Sequence, residues 1–285
     1  MPRGITPRRP ARSGRQERVK PATTGAKPRI KQKRRSRNDA GFIKSQGAVV
    51  AKTTARLPKT YKPTSPERVN EILRRLDQLY PDVTCALTHR SVWELLVATI
   101  LSAQSTDVRV NMVTPVIFEK YPTVEDFARL EPQQLEPDIR STGFFRNKSK
   151  SVVGAARRIV KEFGGKVPET VDDLLTLPGV ARKTANVVLG TWFKQAEGVV
   201  VDTHVHRISR RLELTKNEDP KKIEEDLMKV VPREKWILFS HQVIWHGRKL
   251  CFARSPKCAD CLLENICHAE DKTWSTVDRH PGAKA

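Results

Sequence analysis

From Ser65 to about residue 247 the chain reads as one helix after another, most with a start signal of their own. That succession constrains the fold more than any other feature. Ser65-Pro66 supplies an N-cap with proline in the first helical position, and Val69, Ile72, Leu73, Leu76 and Leu79 follow at helical spacing. Ser91-Val92-Trp93-Glu94 is a capping box ahead of an apolar run through Leu101. The same reasoning predicts helices over about 107–119, 123–130, 132–139, 148–163, 170–176, 181–193, 203–212, 220–231 and 234–247. Gly164 after Phe163 reads as a helix stop. Val199-Val200-Val201 is strand-like but too short to found a sheet. The expected fold class is all-α.

Charge is unevenly spread along the 285 residues. Residues 1–62 hold 19 of the 53 Lys and Arg and only two acids, Glu17 and Asp39, so this segment carries +17 of the formal +21. Residues 63–285 hold 34 basic and 30 acidic residues, a net of +4. A segment this polar cannot bury enough apolar surface to offset its ordering entropy, so residues 1–64 are expected to be a disordered basic tail. Its natural partner is a polyanion, and a solubilising extension is the plain alternative. No apolar run is long enough for a membrane span, and the N-terminus lacks the apolar core of a secretory signal. An Arg-rich, acid-poor start leaves organelle targeting open.

Four of the five cysteines fall within seventeen residues: Cys251, Cys258, Cys261 and Cys267, spaced C-x6-C-x2-C-x5-C. Without a secretion signal, such clustering favours a metal site over disulfides. Four thiolates suit tetrahedral zinc or an iron–sulfur cluster, and spacing alone does not decide between them. The loop between the first two cysteines would present Arg254 and Lys257 to phosphates, unless it is an ordinary solvated loop. Cys85, far upstream among apolar neighbours, reads as a small core residue.

Leu177-Pro178-Gly179-Val180-Ala181-Arg182-Lys183 forms a tight turn running into a helix. The free N–H groups and dipole at that helix start suit a phosphate oxygen. Lys183 sits in the first turn, where the helix start and Arg182 would favour a neutral, nucleophilic amine. A solvated surface lysine is the bland alternative. Asp202, in Val201-Asp202-Thr203-His204, is either a simple N-cap or a carboxylate paired with that lysine.

Taken together, Leu101-Ser102-Ala103-Gln104-Ser105-Thr106-Asp107, Gly143-Phe144-Phe145, the turn at Leu177–Lys183, the segment around Asp202 and the cysteine array resemble the helix-hairpin-helix DNA glycosylases of the endonuclease III family. The match runs over about residues 66–270 in the family's order, and the motifs are specific jointly rather than singly. The resemblance implies a two-lobed helical fold with DNA bound across the cleft. Residues 85–196 would form a six-helix barrel lobe, and residues 65–84 with 197–275 a cluster lobe, leaving 276–285 as a tail. It implies a [4Fe–4S] cluster on the four cysteines, Lys183 as nucleophile and Asp202 as catalytic carboxylate. Gln104 would fill the gap in the duplex, Phe144 would wedge into the stack, and Leu177, Gly179, Ala181, Arg254 and Lys257 would hold the DNA. The implied activity is base excision repair of oxidised pyrimidines with cleavage at the abasic site. The implied partner is damaged double-stranded DNA, met by a monomer in a bacterial cytoplasm and its nucleoid. Ala181 departs from the family by standing where the hairpin usually carries its second glycine, and alanine would resist a positive φ or a very close approach of phosphate.

An adenine-mismatch glycosylase shares hairpin and cluster, but lacks a lysine at this position and carries a further C-terminal recognition domain. A non-catalytic DNA-binding protein is the reading from another class, separable by borohydride trapping of a Schiff base. For the basic segment, deleting residues 1–62 should weaken binding to damaged and intact duplex alike. It should also flatten the log–log salt dependence by about 0.9 for each phosphate that is no longer neutralised. Titration of both duplexes over a salt series checks this, and an unchanged slope would refute it.

Overall fold

The computed structural model describes residues 61–274. The expectations for most of the N-terminal basic segment and for residues 276–285 fall outside the described residues. Among those described, the chain is helical and contains no strand. Its α-helices are α1 (Pro66–Leu79), α2 (Val92–Ser102), α3 (Asp107–Lys120), α4 (Val124–Arg129), α5 (Pro132–Ile139), α6 (Phe145–Glu162), α7 (Val171–Leu175), α8 (Arg182–Val188), α9 (Thr203–Arg211), α10 (Pro220–Val230) and α11 (Trp236–Lys249). None of the described helices is long and apolar enough to cross a membrane.

The helix starts follow from capping chemistry. Ser65, Ser91, Thr106 and Asp219 each accept a backbone N–H of the first turn on a side-chain oxygen. At α2 the expected capping box is shifted by one residue, because the Glu94 carboxylate takes the N–H of Arg90 instead of that of Ser91. Two helices differ from their expected limits by three residues or more. α6 begins at Phe145, three residues early, because the Phe144 carbonyl accepts from both Asn147 and Lys148 at 3.1 Å. α8 stops at Val188 and gives way to a π-helical segment, Leu189–Phe193, that ends on left-handed Lys194. That wider turn brings Gly190 against Ile237, whose Cγ1 would lie 3.2 Å from a β-carbon at the glycine.

Apolar side chains collect in two clusters. One gathers α2–α8 around Leu96, Ile117, Phe127, Leu135, Ile159 and Leu174. The other gathers α1 and α9–α11 around Ile72, Leu76, Ile208, Leu227, Phe239 and Val243. α2 is apolar nearly all round, and Leu95 through Leu101 are buried, as a helix enclosed by its neighbours requires.

The turn between α7 and α8 closes through a 3.1 Å hydrogen bond from Val180 N–H to the Leu177 carbonyl. Gly179 has φ +76°, and a β-carbon there would stand 2.5 Å from Ser151 Cβ. Ala181 is the N-cap of α8 with φ −94° and ψ 169°, extended backbone open to any residue. The position carrying alanine therefore asks for no positive φ, and the expected backbone resistance does not arise. Gly179→Ala should meet both left-handed strain and the clash, lowering stability by about 1–3 kcal/mol. Chemical denaturation of the variant checks this, and an unchanged midpoint would refute the account of the turn.

Candidate active site

A cavity of about 110 Å³ lies where α8, the 198–202 segment and α11 approach one another, lined among others by Lys183, Asp202, Asp107, His241, Trp245 and Arg248. Lys183 is exposed in the first turn of α8 and makes no hydrogen bond or ion pair with any described residue. Asp202 is the N-cap of α9. Its Oδ1 accepts from the backbone N–H groups of both His204 and Val205, each at 2.8 Å. Its Oδ2 has no hydrogen-bond partner among the described residues. The two sequence expectations for Asp202 are therefore compatible: one oxygen caps the helix, and the other is free to act.

The electrostatics differ from expectation at Arg182. Its Nε lies 3.1 Å from both carboxylate oxygens of Glu224 on α10, and Glu224 also accepts from Asn186 Nδ2 at 2.9 Å. Arg182 is thus not a lone cation beside Lys183, since a carboxylate matches its charge. Glu224 grips the residues one before and three after Lys183, so it fixes the rotation of α8. Gly198 makes room for this, because a β-carbon there would fall 2.0 Å from Glu224 Oε1. On the opposite wall, Arg248 pairs with Asp107 at 2.5 Å. Burial, reinforced by Lys194 and Arg248, pushes His241 down to about 4, so the cavity holds a neutral imidazole at neutral pH. Cys85 lines this cavity as well as packing on the first apolar cluster.

Of the expected DNA contacts, Gln104 and Phe144 are exposed and left-handed, with φ 52° and 48°. Phe144 is 63% exposed, which is unusual for a phenyl ring without a task. Leu177 is different: its side chain is buried in the first cluster, so only its main chain is offered to a ligand. Arg254 and Lys257 are exposed on their loop.

The four cysteines surround one cavity of about 30 Å³ together with Ile208, Leu212 and His246. No group of three or more His, Cys, Asp or Glu among the described residues is arranged to hold a metal ion, so the thiols ring a space instead of meeting at a point. Burial pushes the Cys261 thiol up to about 12 and that of Cys267 to about 11, so free thiolates are costly here without a balancing charge. Arg211 Nη1 donates to Cys251 Sγ at 3.1 Å and also holds the Phe252 carbonyl at 2.7 Å. Arg207 Nη2 donates to the Cys251 carbonyl at 2.9 Å. These arginines anchor the start of the loop that carries Arg254 and Lys257.

Sequence reasoning missed Glu224, His241, Trp245 and the Asp107–Arg248 pair. Glu224 lies on an ordinary amphipathic helix, and no local spacing marks a residue whose partner is dozens of positions away.

Residues 97–233 match the model of the HhH-GPD superfamily base excision DNA repair proteins. The endonuclease III of Synechocystis sp. is 55% identical over 201 residues, spanning 70% of this chain and 92% of that protein. That of Bacillus subtilis is 40% identical over 207 residues, spanning 72% and 94%. Among solved structures, a trapped covalent intermediate of an endonuclease III with DNA superposes with a TM-score of 0.68 at 40% identity, covering 71% of this chain and 95% of that one. At 40–55% identity over nearly the full length of these relatives, the chain belongs to the endonuclease III family.

Proposed function

We propose that this protein is a bifunctional DNA glycosylase and abasic-site lyase that removes oxidised pyrimidines from duplex DNA in base excision repair. One observation carries the reading: a single cavity is lined by an unpaired lysine amine and by an aspartate with one uncommitted oxygen. The DNA-bound covalent intermediate of a relative supports chemistry through an enzyme nucleophile.

A damaged base inside the stack is out of reach, so the nucleotide is turned out at a cost of a few kcal/mol. Phe144 wedges the stack and Gln104 takes the vacated place, while the turn at Leu177, Gly179 and Ala181 holds phosphate on its N–H groups. Arg254 and Lys257 hold the backbone from the cysteine loop. The amine of Lys183 attacks C1′ through its electron pair, and the glycosidic bond breaks with its own pair leaving on the base. The Asp202 carboxylate stabilises the positive charge that develops on the sugar. The C1′–O4′ bond then opens, O4′ keeping its electron pair and taking up a proton, and the resulting iminium acidifies C2′, whose proton is lost as the C3′–O bond breaks with its pair leaving on the phosphate, giving strand scission. The lobe limits 85–196 and 65–84 with 197–275 are proposed on the two apolar clusters, and the protein acts as a monomer on damaged duplex in the cytoplasm.

Cys251, Cys258, Cys261 and Cys267 would hold a [4Fe–4S] cluster. The fit rests on the donor set: four thiols border one cavity, and the two carboxylates that also line it, Glu264 and Asp271, are paired with Lys272 and Arg211 respectively. Thiolates on one zinc ion would stand only about 3.8 Å apart. When bound, the cluster supplies a rigid, charge-balanced anchor for the loop and no step of the reaction.

Lys183→Gln keeps the size and hydrogen bonding of the side chain and removes the nucleophile. Binding to damaged duplex should persist, while strand cleavage and borohydride trapping fall by about a thousandfold or more. A Lys183→Gln protein that still traps at the wild-type rate would assign the chemistry to another amine. Separately, the anaerobically purified protein should be yellow-brown with about four irons per chain and broad absorption near ~400 nm. Cys258→Ser should bleach it and lower its melting temperature. Colourless wild-type protein with one zinc per chain would overturn the cluster.

A further inference from the structure

Lys148 lies in the first turn of α6, four residues after Phe144, and is only 5% exposed. Its ammonium meets no carboxylate among the described residues. It donates instead to two main-chain carbonyls, those of Leu101 and Thr142, each at 2.8 Å. Leu101 is in the last turn of α2, where carbonyls lack helical partners and the helix dipole is negative; a cation there is favoured. Three residues on stands Gln104. Thr142 closes the short turn Arg140–Thr142 and directly precedes Gly143 and Phe144. Lys148 also donates its backbone N–H to the Phe144 carbonyl at 3.1 Å, so it grips the second loop twice.

An apolar side chain of similar length would fill this space without the cost of burying a charge, so packing alone does not account for a lysine. What the charge supplies is direction, since it ties two loops far apart in sequence to one atom. Both loops hold an exposed residue in the left-handed region, Gln104 at φ 52° and Phe144 at φ 48°. Side chains other than glycine stay there only where the surroundings impose it.

We propose that Lys148 is a positioning residue that fixes the spacing and aim of Gln104 and Phe144, so that the two enter the duplex as one preformed fork. The proposal rests on the roles given to Gln104 and Phe144 under Proposed function. A preformed fork speeds extrusion of a paired base, because the ordering of both loops is done before DNA arrives.

Two measurements on the full chain, wild type and Lys148→Met, test it. Amide hydrogen exchange should quicken by about tenfold or more over residues 102–106 and 142–146 while the rest of the molecule keeps its protection. In single turnover, excision of a paired oxidised pyrimidine should slow by about tenfold, while cleavage at a pre-formed abasic site stays within about threefold of wild type. A lysine needed only for folding would depress both substrates together and loosen the molecule as a whole. Should Lys148→Met not accumulate as folded protein, Lys148→Gln, which keeps an N–H donor, takes its place. Loops that exchange no faster, or a variant that excises the paired base at the wild-type rate, overturn the proposal. If the wild type itself cleaves neither DNA, the glycosylase reading falls, and the exchange measurement still decides whether Lys148 holds the loops.

Discussion

Everything near the cavity depends on how the chain crosses from one apolar cluster to the other between Val188 and Asp202. α8 is pinned on one side by Ala185 and Val188 in the first cluster, and Val199 and Val205 are pinned in the second. In between, the chain turns through the π-helical segment and passes Glu224 at Gly198, where no side chain would fit. Glu224 is the fastening of this crossing: a buried carboxylate on α10 that receives Arg182 and Asn186 from α8. Removing Arg182 would leave the nearly buried Glu224 carboxylate without its opposite charge, which is why such a pairing tolerates little drift. Lys183 and Asp202 line one cavity because the crossing is short and fastened, although nineteen residues separate them.

Capping chemistry and helical periodicity made nearly all of the helices legible in the sequence, because both are local. The shifts came where a distant group competed for the same atoms. Glu94 chose the N–H of Arg90 over that of Ser91, and α6 started early because Phe144 took a left-handed conformation that no propensity would assign. Ala181 looked like a weakness in the turn, yet its extended backbone suits alanine, and the need for glycine falls on Gly179 alone.

The candidate site was legible where chemistry is concentrated in rare residue types: four cysteines at close spacing, a lysine after a Pro-Gly turn, an aspartate ahead of a helix. It was illegible where function is carried by pairing at long range. Arg182 looked like a free cation beside Lys183, and its partner Glu224 lies 42 positions away on a helix with an ordinary amphipathic pattern. Lys148 sits within a basic stretch of α6, and nothing nearby in the sequence shows that its amine is buried against Leu101 and Thr142.

The division of labour within Asp202 has a consequence for how such a protein could change. One oxygen holds the start of α9 and the other is spare, so on the proposed mechanism the demands of folding and of chemistry fall on different atoms of one side chain. Asparagine would keep an acceptor for the two N–H groups while replacing the spare oxygen with an amide nitrogen. On that mechanism, a single nucleotide change in the gene would leave a well-folded protein that keeps its contacts to DNA and lacks the carboxylate.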